Sequence, residues 1–158
     1  MKKYYLFFLV ISLFLSCSQG PGEGGTSVIE GRVWKCQISE SSFDTIIDGY
    51  MVSYPQIDTI SPLMPDEGVD VFIIYSGNEN DLYDDSFETD WNGRYHFEYL
   101  RKGDYTLYVM VDSTETIYNS MGVAVDGINY DYPIFRHVTI GSNNSTELVD
   151  DFFIIEKD

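Results

Sequence analysis

Alternation of apolar and polar residues with a period of two is the dominant pattern of the chain after residue 26. It is clearest in YTLYVMV, residues 105–111, where Tyr105, Leu107, Val109 and Val111 occupy alternate positions. A period of two places such side chains on one face of a β-strand. The same pattern predicts strands over 27–38, 69–75, 94–100, 134–140 and 147–155, and more weakly over 45–53 and 117–125.

Turn residues separate these predicted strands, and no amphipathic helix pattern follows residue 26. Many short strands joined by Gly, Asn and Asp turns predict an all-β sandwich or barrel. In 94–100 the alternation predicts that Tyr95, Phe97 and Tyr99 point into the core and that His96 points outward. An aromatic content of 16% suits strands, because large rings pack well on a pleated surface.

The N-terminus carries a second pattern, in which Lys2 and Lys3 precede an apolar run over 6–15. Ten residues are too short to cross about 30 Å of hydrocarbon as a helix, so residues 1–16 are predicted to be a signal peptide. Leu-Ser-Cys at its end resembles the lipobox of bacterial lipoproteins. The resemblance implies cleavage before Cys17 and acylation of that residue. An ordinary signal peptide with an incidental Cys17 is the alternative.

This N-terminus sets the predicted domain organisation and location. Residues 17–26 are expected to form an acylated cysteine and a Gly-rich tether, and residues 27–158 a single domain. We expect the protein to be anchored in the envelope of a Gram-negative bacterium, in its outer membrane, through the lipid on Cys17. With Cys17 acylated, Cys36 is the one remaining thiol, so no internal disulfide is expected.

The charge of the chain limits its partners. A formal net charge of −17 repels nucleic acid and anionic lipid headgroups. Nucleic-acid binding is therefore excluded. The same acidity suits a cationic partner or divalent ions, although a well-solvated secreted surface is the preferred interpretation.

The segment ETDWNG, residues 88–93, allows two interpretations. Glu88, Asp90 and Asn92 have the spacing of the first ligands of a calcium loop. The bidentate Glu that such a loop needs is one residue out of place, at Glu98, and a strand pattern follows instead of a helix. Asn92-Gly93 is also the preferred dipeptide of a tight hairpin turn. We predict the turn, with the metal site as the alternative and no cofactor.

A longer motif resembles the central signature of carboxypeptidase regulatory-like domains, which are transthyretin-like (prealbumin-like) β-sandwiches. Its matching positions are Asp90, Gly93, Tyr95, Phe97, Leu100, Gly103, Tyr105, Leu107 and Val109. The resemblance implies a single Greek-key-type β-sandwich over 27–158, in which 39–68 and 112–133 are insertions. Collagen-adhesin B-type repeats are similar and can carry a Lys–Asn isopeptide bond. Here the residues opposite Lys35 would be Asp150 and Asp151, so no such bond is expected.

The sequence carries no recognisable catalytic constellation. His96 and His137 are its two histidines, and neither has the spaced Cys or acidic partners of a metal site. A nucleophile elbow and a Gly-rich phosphate loop are also absent from the sequence. We therefore expect the protein not to be an enzyme.

Two functions remain open. The first is a non-catalytic accessory scaffold that contacts another envelope protein. The second is a carbohydrate-binding or peptide-binding module of a nutrient-uptake system, with Trp91, Tyr130 and Tyr132 as ligand contacts. Trp91 lies at a turn tip, where we expect it to pack at least partly as a lid, with a stacking platform as the alternative.

Three short segments suggest a modification. Thr45, Thr59 and Ser113 each follow an Asp and resemble a periplasmic O-glycosylation sequon of Gram-negative bacteria. Asn143 and Asn144 precede Ser and Thr, but in a bacterial lipoprotein they are expected to be turn residues.

Overall fold

A computed structural model describes residues 20–118 and 124–157, with side chains described outside 114–128. The predicted signal peptide and Cys17 lie outside the described residues. Within them the chain forms ten β-strands, and none of its segments is a helix long and apolar enough to cross a membrane. The strands are β1 Glu23–Ile47, β2 Tyr50–Thr59, β3 Met64–Pro65, β4 Asp70–Ile74, β5 Asp85–Glu88, β6 Arg94–Leu100, β7 Gly103–Tyr118, β8 Ala124–Ile140, β9 Thr146–Leu148 and β10 Phe152–Lys157.

Two sheets pack as a sandwich, so the predicted all-β sandwich is confirmed. The first sheet is built around the long strand β1, which pairs antiparallel with β6, β3 and β2 in turn and parallel with β9 and β10. The second sheet has the order β5-β4-β7-β8, and all its pairs are antiparallel. β1 is therefore the central strand that gives the first sheet its continuity.

The core lies between the two sheets and takes alternate residues from each. From the first sheet it buries Ile29, Val33, Tyr95, Phe97, Leu100, Phe152 and Ile154, and from the second Val71, Ile73, Tyr105, Leu107, Val109, Val111 and Ile140. The period-two pattern predicted most of these residues. A Cβ on Gly31 would collide with the hydroxyl of Tyr95, so this position on β1 requires glycine.

The end of β6 departs from the prediction. Arg94–Leu100 is a strand as predicted, with Tyr95 and Phe97 buried and His96 exposed. Tyr99, however, is 68% exposed and has a φ of 60°, and Leu100 is buried in its place. The pairing explains the difference, because Ile29 faces Phe97 while Ser27 faces Leu100, so β6 gains one residue there. The prediction that Tyr99 points into the core was wrong, because a β-bulge shifts the alternation of inward and outward residues along the strand.

Part of the predicted tether belongs to the sandwich. Glu23–Thr26 are the first residues of β1, and the N–H of Gly22 donates to the Tyr105 hydroxyl at 2.9 Å. That hydroxyl donates in turn to the carbonyl of Arg101 at 2.7 Å. The guanidinium of Arg101 donates to the carbonyl of Gly20. The folded unit therefore begins before residue 27, at Gly20 within the described residues.

The two predicted insertions form two long hairpins that extend β1 and β7. The first arm, residues 39–59, continues β1 beyond Ile38, turns at Asp48-Gly49 with positive φ at both residues, and returns as β2. The second arm, described over residues 112–118 and 124–131, continues β7 and β8 beyond the sandwich. Lys157 pairs with Ile38 at the base of the first arm. Its pKa is raised first by Glu40 on that arm and then by charge from Tyr130 and Tyr132 at the base of the second arm. Both arms therefore leave from the same end of the sandwich.

Candidate functional site

Trp91 lies at the tip of the turn that leads into β6, and its side chain is 73% exposed. The expectation of a packed lid was therefore wrong. The N–H of Gly93 donates to the carbonyl of Asp90 at 2.8 Å, and Gly93 alone in this turn has a positive φ, of 68°. Such a turn leaves its second residue in solvent. It connects β5 of the second sheet to β6 of the first, so it is a link between sheets and not the predicted hairpin.

The carboxylate of Asp90 supports this turn. Its Oδ1 accepts hydrogen bonds from the N–H groups of Asn92 and Arg94, at 2.8 and 2.9 Å. These bonds engage one of the two carboxylate oxygens of Asp90, a residue of the calcium alternative Glu88, Asp90 and Asn92. Among the described residues no group of three or more His, Cys, Asp or Glu side chains is placed to hold a metal ion.

Tyr130 and Tyr132 lie at the base of the second arm and are both exposed, with ring centroids 6.3 Å apart. Beside them is the ion pair of Lys157 with Glu40, at 2.7 Å. The hydrogen bond and charge of Glu40 are the first causes that raise the Lys157 pKa. Among the described residues no ring contact joins Trp91, at the tip of its own turn, to this tyrosine pair. The prediction that these three residues contact a ligand stays a prediction.

The three predicted glycosylation positions lie on the arms. Thr45 is half-buried on the first arm, Thr59 is exposed at the arm's return to the sandwich, and Ser113 is half-buried on the second arm.

A row of four aromatic rings crosses the outer face of the second sheet. Phe72 faces Tyr108 on the neighbouring strand, and Tyr108 faces Phe135 on the next. The Phe72 and Tyr108 rings stack with centroids 5.0 Å apart, and Phe135 lies 5.5 Å from Tyr108. Tyr83, from the loop after β4, continues the row at 4.9 Å from Phe72. Burial raises the pKa of the Tyr108 hydroxyl, and nearby Tyr83 adds to the effect.

The loop 75–84 places polar side chains beside this aromatic row. Asn78 donates from its amide to Asp81 at 2.7 Å, and Asp81 also accepts from the Ser76 hydroxyl. His137 bridges the loop to the sheet, since its Nε2 lies 2.9 Å from Glu79 and its Nδ1 lies 3.1 Å from the Thr106 hydroxyl. The outer face of the second sheet therefore combines flat apolar rings with amides, carboxylates and a histidine.

An open groove of about 1070 Å³ crosses the opposite face, along β1, β6 and the β9–β10 connection. Charged residues line it, namely Glu30, Arg32, Asp90, Arg94, Arg136, Asp150 and Asp151. Trp34 lies on the same strand and donates from its indole N–H to Asp151 Oδ2 at 2.7 Å. The guanidinium of Arg136 reaches across from β8, donates to the Asp151 carbonyl and lies 5.1 Å from the Phe152 ring centroid.

The first arm has an apolar face that nothing covers in the described structure. Phe43, Thr45 and Ile47 alternate on β1 and face Tyr54, Val52 and Tyr50 on β2. All of these side chains except Thr45 and Val52 are exposed. The rings of Phe43 and Tyr54 stack with their centroids 5.4 Å apart. Ile46 and Met51 are exposed at the tip on the other face. A two-stranded ribbon with such a face differs from the sandwich, where apolar faces are paired.

The aromatic row and the apolar face of the first arm were not predicted from the sequence. Phe72, Tyr108 and Phe135 occupy the outward positions of strands whose inward residues were correctly identified, so a search of those positions for rings would have found the row. The arm was obscured because residues 39–68 were treated as an insertion. Lys35, considered above for a covalent bond, instead forms an ion pair of 2.7 Å with the buried Asp66.

Comparison with known proteins does not assign the chain to a family. No family model matches the chain, and no curated protein matches it. Among solved structures it is similar to a Pseudomonas aeruginosa protein that has been proposed to bind carbohydrate, with 12% identity, a TM-score of 0.42, and coverage of 85% of this chain and 90% of that one. A similarity of this extent carries no argument about the ligand.

Proposed function

We propose that the protein is a non-catalytic interaction scaffold of the Gram-negative cell envelope, anchored by a lipid on Cys17, and that its first arm docks onto another envelope protein. The uncovered apolar face of the arm is the observation that carries this proposal. Isolated two-stranded ribbons are at best marginally stable in water. Large exposed apolar patches mark sites of interaction.

The charge of the arm indicates what kind of surface covers it. Glu40, Asp44, Asp48 and Asp58 lie on the arm, and no Lys or Arg occurs between Lys35 and Arg94. A second copy of the chain would bring like charges together. An anionic lipid surface would also be repelled. The complementary partner is a protein with an apolar groove and a basic rim, because opposite charges favour encounter and orientation.

A photo-crosslinking experiment in cells tests the proposal. A photoreactive residue replaces Ile46 at the arm tip, and the matched control replaces Leu82, an exposed apolar residue outside the arm. We expect one basic envelope protein to be crosslinked from position 46 and not from position 82. Replacing 40–57 with Asn-Gly is expected to abolish the interaction while leaving the sandwich folded. A crosslink to a second copy, or equal crosslinking from both positions, would contradict the proposal.

The anchor has a separate test. Cys17→Ser is expected to release the protein from membranes, because a lipoprotein cysteine carries the acyl chains that give stable anchoring. Cys36→Ser is the control, since Cys36 is a half-buried residue of β1. Retention of the Cys17→Ser protein in washed membranes would show a different anchor.

Glycan binding is a second candidate function, and the aromatic row favours it. Rings beside amides and carboxylates are typical of sugar-binding surfaces, where few polar groups orient a ligand held on apolar area. Tyr83→Ala removes the exposed end of the row, and Tyr99→Ala is the control that removes an even more exposed ring on the other sheet. We expect polysaccharide binding in a gel-retardation panel to be lost only in Tyr83→Ala. Binding unchanged in both variants, or no binding by the unaltered chain, would exclude this row as a glycan site.

We also propose that the domain is of the carboxypeptidase regulatory-like type. The support comes from the turn at Asp90–Gly93 and from the buried positions of Tyr95, Phe97, Tyr105 and Leu107, which match the motif that carries the resemblance. Sequences of close relatives that retain these positions would test the assignment.

A further inference from the structure

We propose that the groove on the outer face of the first sheet binds an acidic saccharide, with the carboxylate of a uronic acid held between Arg32 and Arg94. This site differs from the first arm and from the aromatic row in both position and chemistry. The proposal does not depend on either of them.

The arginines of this protein are unusually concentrated. The chain contains four, and Arg32, Arg94 and Arg136 all line this one groove. The protein as a whole carries a net charge of −17. A surface that is acidic nearly everywhere therefore has its guanidinium groups gathered at one place.

Two of these arginines lie directly opposite each other. Arg32 on β1 and Arg94 on β6 are partners in the antiparallel register, so both side chains leave the same face of the sheet. Like charges in directly opposed positions destabilise a sheet. Neither side chain forms an ion pair with a carboxylate among the residues that the structure describes. A bound carboxylate would remove this repulsion and use the planar, bidentate geometry of guanidinium groups.

Four carboxylates and three arginines line the groove, so the paired guanidinium groups of Arg32 and Arg94, and not the net charge of the groove, would hold the added carboxylate. Asp90 is engaged by backbone N–H groups of its own turn, and Asp151 accepts the indole N–H of Trp34. Glu30 and Asp150 are the remaining carboxylates of the groove, and both are exposed. They are placed to accept hydrogen bonds from sugar hydroxyls. His96, exposed on β6 opposite Glu30, adds a further polar contact.

Aromatic surface lies beside the arginines. The Arg32 guanidinium is 5.9 Å from the Trp34 ring centroid, and Phe153, which also lines the groove, faces Trp34 across the β1–β10 pair and is exposed. A pyranose ring can lie on such rings while its carboxylate meets the guanidinium groups. An acidic peptide would use the arginines but not the combination of ring faces and hydroxyl acceptors, so the site favours a sugar.

Isothermal titration calorimetry with the full-length chain in detergent tests the site, using oligogalacturonate as the probe and its methyl ester as the uncharged match. We expect binding of the acid form that weakens with added salt, and at least about tenfold weaker binding of the ester, since charge-assisted contacts are lost. Arg32→Gln and Arg94→Gln should each weaken binding by about tenfold or more, whereas Lys102→Gln, which removes the same charge elsewhere, should not.

Three results would overturn the proposal. One is the absence of oligogalacturonate binding at millimolar concentration to the unaltered chain. Another is an equal loss in Lys102→Gln, which would show a general charge effect. The third is equally tight binding of hexaglutamate, which would make the groove an acidic-peptide site. Thermal unfolding of each variant is measured in parallel, and an arginine variant that no longer unfolds cooperatively is replaced by Arg32→Lys or Arg94→Lys, for which a weaker but measurable loss is expected.

Discussion

The sandwich and the first arm are built from the same strand, β1, yet they bury very different amounts of apolar surface. On the N-terminal side of Ile38, the side chains of Ile29 and Val33 are fully buried between the sheets. Downstream, the alternating Phe43 and Ile47 remain exposed on a two-stranded ribbon. Alternation therefore predicts that a segment is a strand with one apolar face. It does not say whether this chain or another molecule covers that face.

The sandwich and the first arm also differ in the interactions that stabilise them. The sandwich buries a core between its two sheets, and hydrophobic burial is the dominant favourable term in folding. The arm has cross-strand pairs such as Phe43 with Tyr54 but no second layer among the described residues. Substitutions in the two regions should consequently differ severalfold in their effect on unfolding.

Leu107→Ala should have the largest effect. Leu107 is fully buried in the core, so the substitution leaves a cavity and is expected to cost about 2–5 kcal/mol of unfolding free energy. Urea unfolding followed by fluorescence measures it. A loss below about 1 kcal/mol would mean that the sandwich is not the stable part of the molecule.

Tyr105→Phe and Tyr95→Phe form a matched pair within the sandwich. The Tyr105 hydroxyl accepts from Gly22 and donates to Arg101, so its removal leaves buried backbone groups unpaired and should cost about 1–3 kcal/mol. The Tyr95 hydroxyl is buried with no hydrogen-bond partner in the described structure, so its removal should be neutral or stabilising. Equal losses in both variants, in the same urea assay, would contradict this contrast.

Lys35→Met tests the junction of arm and sandwich, where Lys35 pairs with Asp66 beside β3. The hydrogen bond to Asp66 is the first cause that raises the Lys35 pKa above its usual 10.5. A raised pKa stabilises the folded state below about pH 10.5 and loses this contribution as the pH rises through the folded value. The pair is partly exposed, so the contribution should be below about 1 kcal/mol.

Unfolding curves between pH 9 and pH 12 measure the Lys35 effect. The unaltered protein should lose more stability over this range than Lys35→Met, and tyrosine ionisation should affect both proteins alike. Identical pH profiles would show that the ion pair does not stabilise the junction.

Ile46→Ala at the tip of the first arm should have the smallest effect. The side chain is 72% exposed, so the unfolding free energy should change by less than about 0.5 kcal/mol. The urea midpoint of the purified chain measures it. A loss near that of Leu107→Ala would show that the arm packs against its own sandwich in solution.

The sandwich was predictable because its evidence is local. Alternation in β7 identified Tyr105, Leu107 and Val109 as inward residues, and all three are fully buried. Tyr99 was not predictable in this way, since its outward position depends on one extra residue in β6 relative to β1. A β-bulge depends on how two strands pair, so it cannot be recognised from the periodicity of one strand alone.

The candidate sites were less predictable, because they depend on register between distant segments. Arg32 and Arg94 are 62 positions apart in the sequence and face each other only once β1 and β6 are aligned. The same is true of the row formed by Phe72, Tyr108 and Phe135. The turn that carries Trp91, by contrast, was predicted from Asn92-Gly93 alone, since a turn is a local feature.

The docking of Gly20 and Gly22 against Arg101 and Tyr105 has a consequence for how the molecule stands on a membrane. With Cys17 acylated, as proposed, three peptide steps of at most about 10 Å separate the lipid from the first docked residue. The sandwich would therefore meet the bilayer with the end at which β1 begins. β1 then rises over Glu23–Ile38, about 50 Å at the usual rise per residue, before the first arm starts. The arms would project away from the lipid, so that the apolar ribbon meets its partner far above the headgroups and cannot insert into the bilayer that holds its own anchor.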